Sequence, residues 1–387
     1  MKVLKVRISG LSMYQSDLDI DFFASQRNSE ESKQELMDIN GKVFANPVIE
    51  FAGLNGSGKT VTLNLLVFIL SMLNGNPLNG IGMYFNKIKG YMDRKPFTSE
   101  VWYFLDGDII HLKTIIGMGE DLDQSGEDRL IILDEELSRY TRKQGGKVDW
   151  LDPAKYRTLE MRPKDNPYLP QDVSMNGALV TEKEKRIRLI NDIPSTQNNR
   201  MLLVQNIPVE LIRFLDPNIE KLEVNGGNDV PVSIKLKFRN RKSVLLNDME
   251  EVFNYLSSGT IKGLRIFTMA YQILRQGGYL IVDELENHFN LEIVKTLVRF
   301  FQDKKVNKGN GTLLFSTHYP ELMDLLTRND SVYILKNNGG ISCVKASEKL
   351  KRNDGIKKSE AFIHDYFDGT APDYEAYMDL KERLQTK

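Results

Sequence analysis

One cysteine, Cys343, in 387 residues excludes an internal disulfide framework and any zinc site built from thiolates, and it fits a reducing cytosol. The four histidines are scattered too widely to signal a metal cluster. A surplus of either charge is missing too, since 52 Lys and Arg stand against 53 Asp and Glu for a formal net charge of -1. With no global basic field, any site for a polyanion must be local. Long apolar runs are also absent. The longest, "LLVFILSMLNG", is too short to span a bilayer, and the opening "MKVLKVRISG" alternates like a strand and lacks the apolar core of a signal peptide. These absences lead to the expectation of a soluble, cytoplasmic protein with no membrane partner.

What remains is a 41% apolar, 27% charged chain, long enough for one large α/β domain with an inserted lobe or for two ordinary domains. "KVLKVRISG" and "DLDIDFF" predict two strands joined by a turn near Ser12 to Ser16, and the charged stretch from Arg27 to Lys42 a polar loop or short helix. "PVIEFAG" predicts a buried strand running into glycines, followed by a helix over "TVTLNLLVFILSMLNG". Period-two alternation from "FTSEVWYFLDGDIIHLKTIIGMG" through "RLIILDEELSRYT" predicts an antiparallel sheet. A less patterned zone from about Lys143 to Gln197 holds one helix candidate around "VTEKEKRIRLIND". After "VELIRFLDPNIEKLEV" and the strand pair "VSIKLKFRN" and "KSVLL", helices and buried strands alternate: a helix over Gly259–Gln276, "YLIVDE", the helix "LEIVKTLVRFFQDKK", "TLLFSTH", the helix "PELMDLL" and "SVYILKN". That alternation argues a mostly parallel sheet.

Gly53 to Thr60 fits G-x-x-x-x-G-K-[ST] at every defined position. In such a loop the amides around Asn55, Gly56, Ser57 and Gly58 cradle phosphate oxygens, Lys59 meets the β and γ phosphates, and Thr60 offers a hydroxyl to Mg²⁺. "YLIVDELENHFN" puts Asp283 where it can hold the metal or its water shell and Glu284 where it can polarise an attacking water, although acids also favour an ordinary helix start. "LSSGTIKG" sets Ser257, Ser258 and Gly259 at a helix N-terminus, as an ordinary cap or as anion donors. "TLLFSTHYP" ends a strand at His318, where an imidazole could donate to a γ-phosphate.

In order and spacing, "GLNGSGKT", "LSSGT", "YLIVDE" and "FSTH" resemble the Walker A, signature, Walker B and switch-histidine motifs of ABC-type ATPases, in the branch that includes RecF, SMC and OLD proteins. "LSSGTIKGL", "VDELEN" and "KVRISGLSMYQSDLDIDF" are similar to the small abortive-infection, AAA-type ATP-binding proteins of anti-phage islands. The likeness covers residues 1 to about 115 and about 245 to 345. The sequence departs from the branch at Ser12, Met13 and Tyr14, where relatives often carry an arginine, and at "ENHFN", which ends on Asn290 instead of a proline.

The resemblance implies an α/β fold, an ABC-type P-loop ATPase head with a mixed sheet, an antiparallel subdomain and an inserted lobe. The expected divisions are 1–118, 119–244, 245–345 and 346–387. It implies ATP and Mg²⁺ as cofactors, Glu284 and His318 as catalytic residues, and Thr60 and Asp283 at the metal. It further implies a homodimer in which Ser257, Ser258 and Gly259 of one copy complete the nucleotide site of the other. The function expected is a sensor or scaffold of an anti-phage system that controls a separately encoded toxic effector, expected to be a nuclease. The alternative is a RecF-like repair ATPase with DNA as its partner. The stretch from Lys345 to Lys358 holds six Lys and Arg, either a solvated loop or a phosphate contact.

Overall fold

The computed structural model describes residues 1–27, 29–90, 92, 95–122, 128–141, 149–164, 168–182, 184–196, 208–227, 230–351, 355–371 and 374–385. The alternating N-terminus forms β1 (Lys2–Ser9) and β2 (Leu18–Asp21), joined as expected around the turn at 12–16. The polar stretch that follows contains α1 (Glu30–Glu35), capped by Ser29, and a short pair, β3 (Met37–Asp38) and β4 (Phe44–Ala45). Next come β5 (Val48–Ala52), the long helix α2 (Lys59–Leu73) and the short helix α3 (Asn86–Lys89). The period-two region folds into β6 (Phe97–Leu105), β7 (Asp108–Leu122) and β8 (Asp128–Tyr140), to which β9 (Tyr156–Met161) adds an edge that alternation did not announce. The order β2-β1-β6-β7-β8-β9 is antiparallel at every pairing. Asp106 and Gly107, at φ 51° and 95°, make the tight β6–β7 turn, whose handedness needs positive φ at both positions.

The helix expected around "VTEKEKRIRLIND" is corrected. α4 (Asn176–Glu182) stops early, and Leu189–Asn191 is a strand, β10, parallel to a strand of the central sheet. Local composition favoured helix, but pairing with the sheet overrides it. α5 (Val209–Leu215) then precedes a three-stranded sheet of β11 (Ile219–Gly227), β12 (Val230–Phe238) and β13 (Val244–Leu246), with its own core around Ile212, Leu222, Ile234 and Leu264.

After α6 (Met249–Val252) the chain alternates through α7 (Ser258–Gln276), β14 (Gly278–Val282), α8 (Leu291–Gln302), β15 (Gly311–Thr317) and β16 (Val332–Asn337). "PELMDLL" is a 3₁₀ turn over 320–325 and not an α-helix. β17 (Ile341–Lys345), not foreseen, closes the sheet, and α9 (Ala346–Lys349), α10 (Lys358–Ile363) and α11 (Tyr374–Gln385) follow. The central sheet runs β10-β14-β15-β5-β16-β17, parallel except for β17. Its strands are apolar on both faces. Ile49, Ile281 and Leu314 pack with α2 and the antiparallel sheet, whereas Val48, Val282 and Phe315 pack with α7 and α8. α2 is therefore buried almost throughout its length between two sheets, which its unbroken hydrophobicity requires. The expectation of an α/β fold with a mixed sheet and an antiparallel subdomain is met.

The two sheets are also stitched together. The Tyr279 hydroxyl accepts from Val3 N at 2.8 Å, and Tyr333 Oη accepts from Asp21 N at 2.7 Å. In the basic stretch, Lys345 pairs with Asp21 and Lys349 with Asp368, and Lys358 is buried among Glu50 and Asp324. Arg352 lies outside the described residues. Among the described residues, no helix is long and apolar enough to cross a membrane.

Candidate functional site

β5 is the hydrogen-bonded neighbour of both β15 and β16, so the glycine loop leaves the carboxyl end of the central sheet between them. Asn55 and Gly56 face solvent, while Ser57 is buried with a hydroxyl that has no hydrogen-bond partner. Gly58 sits at φ 96°, and a Cβ there would come within 2.5 Å of Ile341 Cδ1, so backbone angle and space both demand glycine. α2 begins at Lys59 with no side-chain cap and no acid in its first turn, which leaves the positive end of the helix for an anion.

Lys59 is buried and its Nζ donates to Gly53 O at 2.8 Å and Leu54 O at 2.9 Å. Burial brings its ammonium down to about 8, although Asp283, Glu286 and Glu284 oppose the shift. His318 approaches from the end of β15, with Nδ1 3.3 Å from Lys59 Nζ.

Beyond β14, Asp283 is buried and doubly fixed. Thr60 Oγ1 donates to its Oδ2 at 2.7 Å, and Ser316 Oγ donates to its Oδ1 at 2.5 Å. The same Ser316 hydroxyl accepts from Glu284 N at 2.8 Å. Glu284 has φ 46°, a left-handed angle that a glutamate enters only when its surroundings hold it there. Its Oε1 lies 3.7 Å from His318 Nε2. Glu286 accepts from His318 N at 2.6 Å, which ties the loop after Asp283 to the end of β15.

Lys59, Thr60, Asp283, Glu284 and His318 thus converge from three strand ends. Ser257, Ser258 and Gly259 do not join them. Ser257 caps α7, its hydroxyl accepting from Thr260 N at 3.1 Å, and Ser258 Oγ lies 3.4 Å from His288 Nδ1. Gly259 packs so closely on the loop after Glu284 that a Cβ would come within 2.5 Å of His288 O.

The donors suit a nucleotide and its cation. Glycine-loop amides, the lone Ser57 hydroxyl and Lys59 are complementary to phosphate oxygens. The hydroxyl and carboxylate oxygens of Thr60 and Asp283 are the hard ligands that Mg²⁺ takes alongside phosphates. Among the described residues no group of three or more His, Cys, Asp or Glu could hold a metal by itself, so a cation here would share its shell with the phosphates.

The first turn, around Ser12 to Tyr14, is filled by Tyr14. It is buried, bridges to Ile341 and shares a 2.9 Å hydrogen bond with Thr62 of α2. Asn290 caps α8 by accepting from Glu292 N at 2.9 Å, a helix start made without proline. Sequence reasoning passed over Ser316 and Lys262. The signal for Ser316 was a hydroxyl residue next to the end of a strand whose centre, Leu313 to Phe315, is apolar. That for Lys262 was a lysine one turn after Ser258, inside a helix end that proves to be buried.

A family model described as "AAA domain, putative AbiEii toxin, Type IV TA system" matches residues 147–324. The match takes in Ser257 to Gly259, Asp283, Glu284 and His318, and leaves out the glycine loop. No curated protein matches the sequence. Similar solved structures include an SMC head domain from Thermotoga maritima, at TM-score 0.43 and 13% identity, covering 89% of this chain and 99% of that one. Another is an SMC head bound to the C-terminal winged-helix domain of ScpA, at TM-score 0.49 and 10% identity, covering 90% and 99%. In its glycine loop and acidic strand end the chain resembles P-loop ATPases, and over residues 147–324 it is similar to the AAA-domain family that this model describes.

Proposed function

We propose that this chain binds and hydrolyses ATP with Mg²⁺, and that ATP fastens two copies together. The observation that carries the proposal is the convergence of Lys59, Thr60, Asp283, Glu284 and His318 at the end of one sheet, while among the described residues the Ser257 hydroxyl bonds within α7 and the Ser258 hydroxyl meets His288. Lys59 and the loop amides hold the phosphates. Thr60 and Asp283 would hold Mg²⁺, which when bound would supply charge neutralisation for the phosphates. Glu284 orients and polarises the attacking water, and His318 donates to the γ-phosphate from a ring set between Lys59 and Glu284. The γ-phosphate still presents oxygens outward, and Ser257, Ser258 and Gly259 of a second copy supply the missing donors. ATP then acts as interface glue and hydrolysis removes it.

The finer role is that of a cytoplasmic sensor or scaffold of an abortive-infection system, restraining or activating a separately encoded toxic effector of nuclease type. The family description, with its AbiEii and toxin–antitoxin terms, supports a defence setting.

The test is Glu284→Gln. With ATP and Mg²⁺ it should retain nucleotide binding, lose turnover by about a hundredfold or more, and accumulate as a dimer in light scattering. Undiminished turnover removes Glu284 from its role, and a monomer under saturating ATP removes the dimer. Tight, ATP-dependent binding of duplex DNA by this chain alone would instead place it with RecF-like repair ATPases.

A further inference from the structure

α7 carries Ser257 to Gly259 at its tip, and one turn further in it carries a lysine that the site as described leaves without a task. Lys262 is 1% exposed. An ammonium at that depth is costly unless something pairs with it. Its Nζ donates to the main-chain carbonyl of Glu284 at 3.1 Å and lies 5.4 Å from the centroid of the Phe289 ring. Both partners belong to the loop that follows β14.

Glu284 is the residue in that loop whose backbone most needs holding, because of its left-handed φ of 46°. Within the loop its carbonyl accepts from Asn287 N at 3.0 Å, and two further hydrogen bonds hold it from other elements. Ser316 of β15 accepts from its N–H at 2.8 Å, and Lys262 of α7 donates to its carbonyl. Shifting either anchor lets the main chain relax toward ordinary angles and swings the carboxylate away from His318.

We infer that Lys262 is a positioning residue for Glu284 and links the signature helix to the carboxylate of its own chain. The assignment rests on the ATPase function proposed above. In a dimer closed around ATP, the tip of α7 completes the partner's site while Lys262 of the same helix steadies Glu284 at home. A shift of α7 on docking at one site therefore bears on the carboxylate of the other, which makes the two sites interdependent.

The test compares Lys262→Met and Lys262→Arg in the wild-type and the Glu284→Gln backgrounds, measuring steady-state ATP hydrolysis, ATP affinity and thermal unfolding. Methionine fills the space of the lysine stem without a donor, and arginine keeps one. Lys262→Met should lower kcat about tenfold to a hundredfold, the scale of a small misplacement of a reacting group, with ATP affinity and melting temperature undiminished. Lys262→Arg should recover part of the rate. In the Glu284→Gln background, Lys262→Met should cause no further loss.

Turnover by Lys262→Met equal to wild type, with Glu284→Gln impaired, overturns the inference and leaves the ATPase function standing. So does an equal loss in both backgrounds, because the effect would then bypass Glu284. Should the methionine variant fail to fold, Lys262→Gln is put through the same comparison with the same outcomes. Absence of turnover in the wild-type chain removes the ATPase function and the inference with it.

Discussion

Replacing Asp192 by asparagine takes the counter-charge from a buried guanidinium. Asp192 follows β10 at the edge of the central sheet and faces Arg265 of α7, with Nε 2.8 Å from Oδ1 and Nη2 2.8 Å from Oδ2. Exposed pairs of this kind contribute about 0–1 kcal/mol, whereas removing one partner of a buried pair costs about 3–5 kcal/mol. Exposure decides between the two regimes, and here the side chains are 2% and 1% exposed. Burial raises the Asp192 carboxyl above its ordinary range despite the adjacent guanidinium, so desolvation consumes much of the attraction. Arg265 also donates to Ser195 O at 3.2 Å, which leaves it partly satisfied after the substitution and puts the expected loss near the lower bound, about 3 kcal/mol. Urea denaturation measures the loss, and hydrogen exchange should place it in α7 and β10. The double variant Asp192→Leu/Arg265→Met, which removes both charges, should return to within about 1 kcal/mol of wild type. A loss below about 1 kcal/mol for Asp192→Asn, the range of a solvated pair, refutes the reasoning.

Ser258→Arg should abolish hydrolysis while leaving ATP binding by the monomer intact, because Ser258 is proposed to act on the partner's nucleotide; weakened binding in a fluorescent-nucleotide titration would contradict that geometry. Lys262→Met should also change how stability depends on pH. Burial brings the Lys262 ammonium from the ordinary 10.5 to about 8, so between those values the unfolded chain binds more protons and wild-type stability rises with pH. The methionine variant should therefore be the more stable at pH 7, by up to about 3 kcal/mol, with the gap closing as pH approaches 10. Urea midpoints across that range check it, and a gap independent of pH rejects it.

The centre of the fold was legible because its signals are local. An apolar strand fused to glycines, followed by a long apolar helix, specifies β5, the loop and α2 with little competition. Strands β14 and β15 stand out in the same way, since both of their faces are buried. Leu189–Asn191 was not legible, because a charged, helix-favouring neighbourhood becomes a strand only by pairing with β14 and by the hold that Arg265 has on Asp192. Ile341–Lys345 and Tyr156–Met161 are edge strands with weak alternation, defined mainly by the neighbour that they complete. At the site, the spacing of motifs brought the Lys59, Asp283 and His318 segments into view. The tasks of Ser316 and Lys262 were hidden, because each consists of a contact across dozens of residues with a main-chain group that carries no sequence mark.

β5 pairs with β15 through Val48 and Leu313 and with β16 through Glu50 and Val332, so the innermost strand of the sheet waits for neighbours made near the end of synthesis. Until they leave the ribosome, β5 has no strand of its own sheet to pair with, and the apolar helix behind it is covered on the side of the antiparallel sheet alone. The nascent chain must carry that surface exposed through most of translation, a long window for aggregation and a natural demand on chaperones. Severing the polypeptide between its glycine loop and its acidic strand would leave two sticky, incomplete pieces.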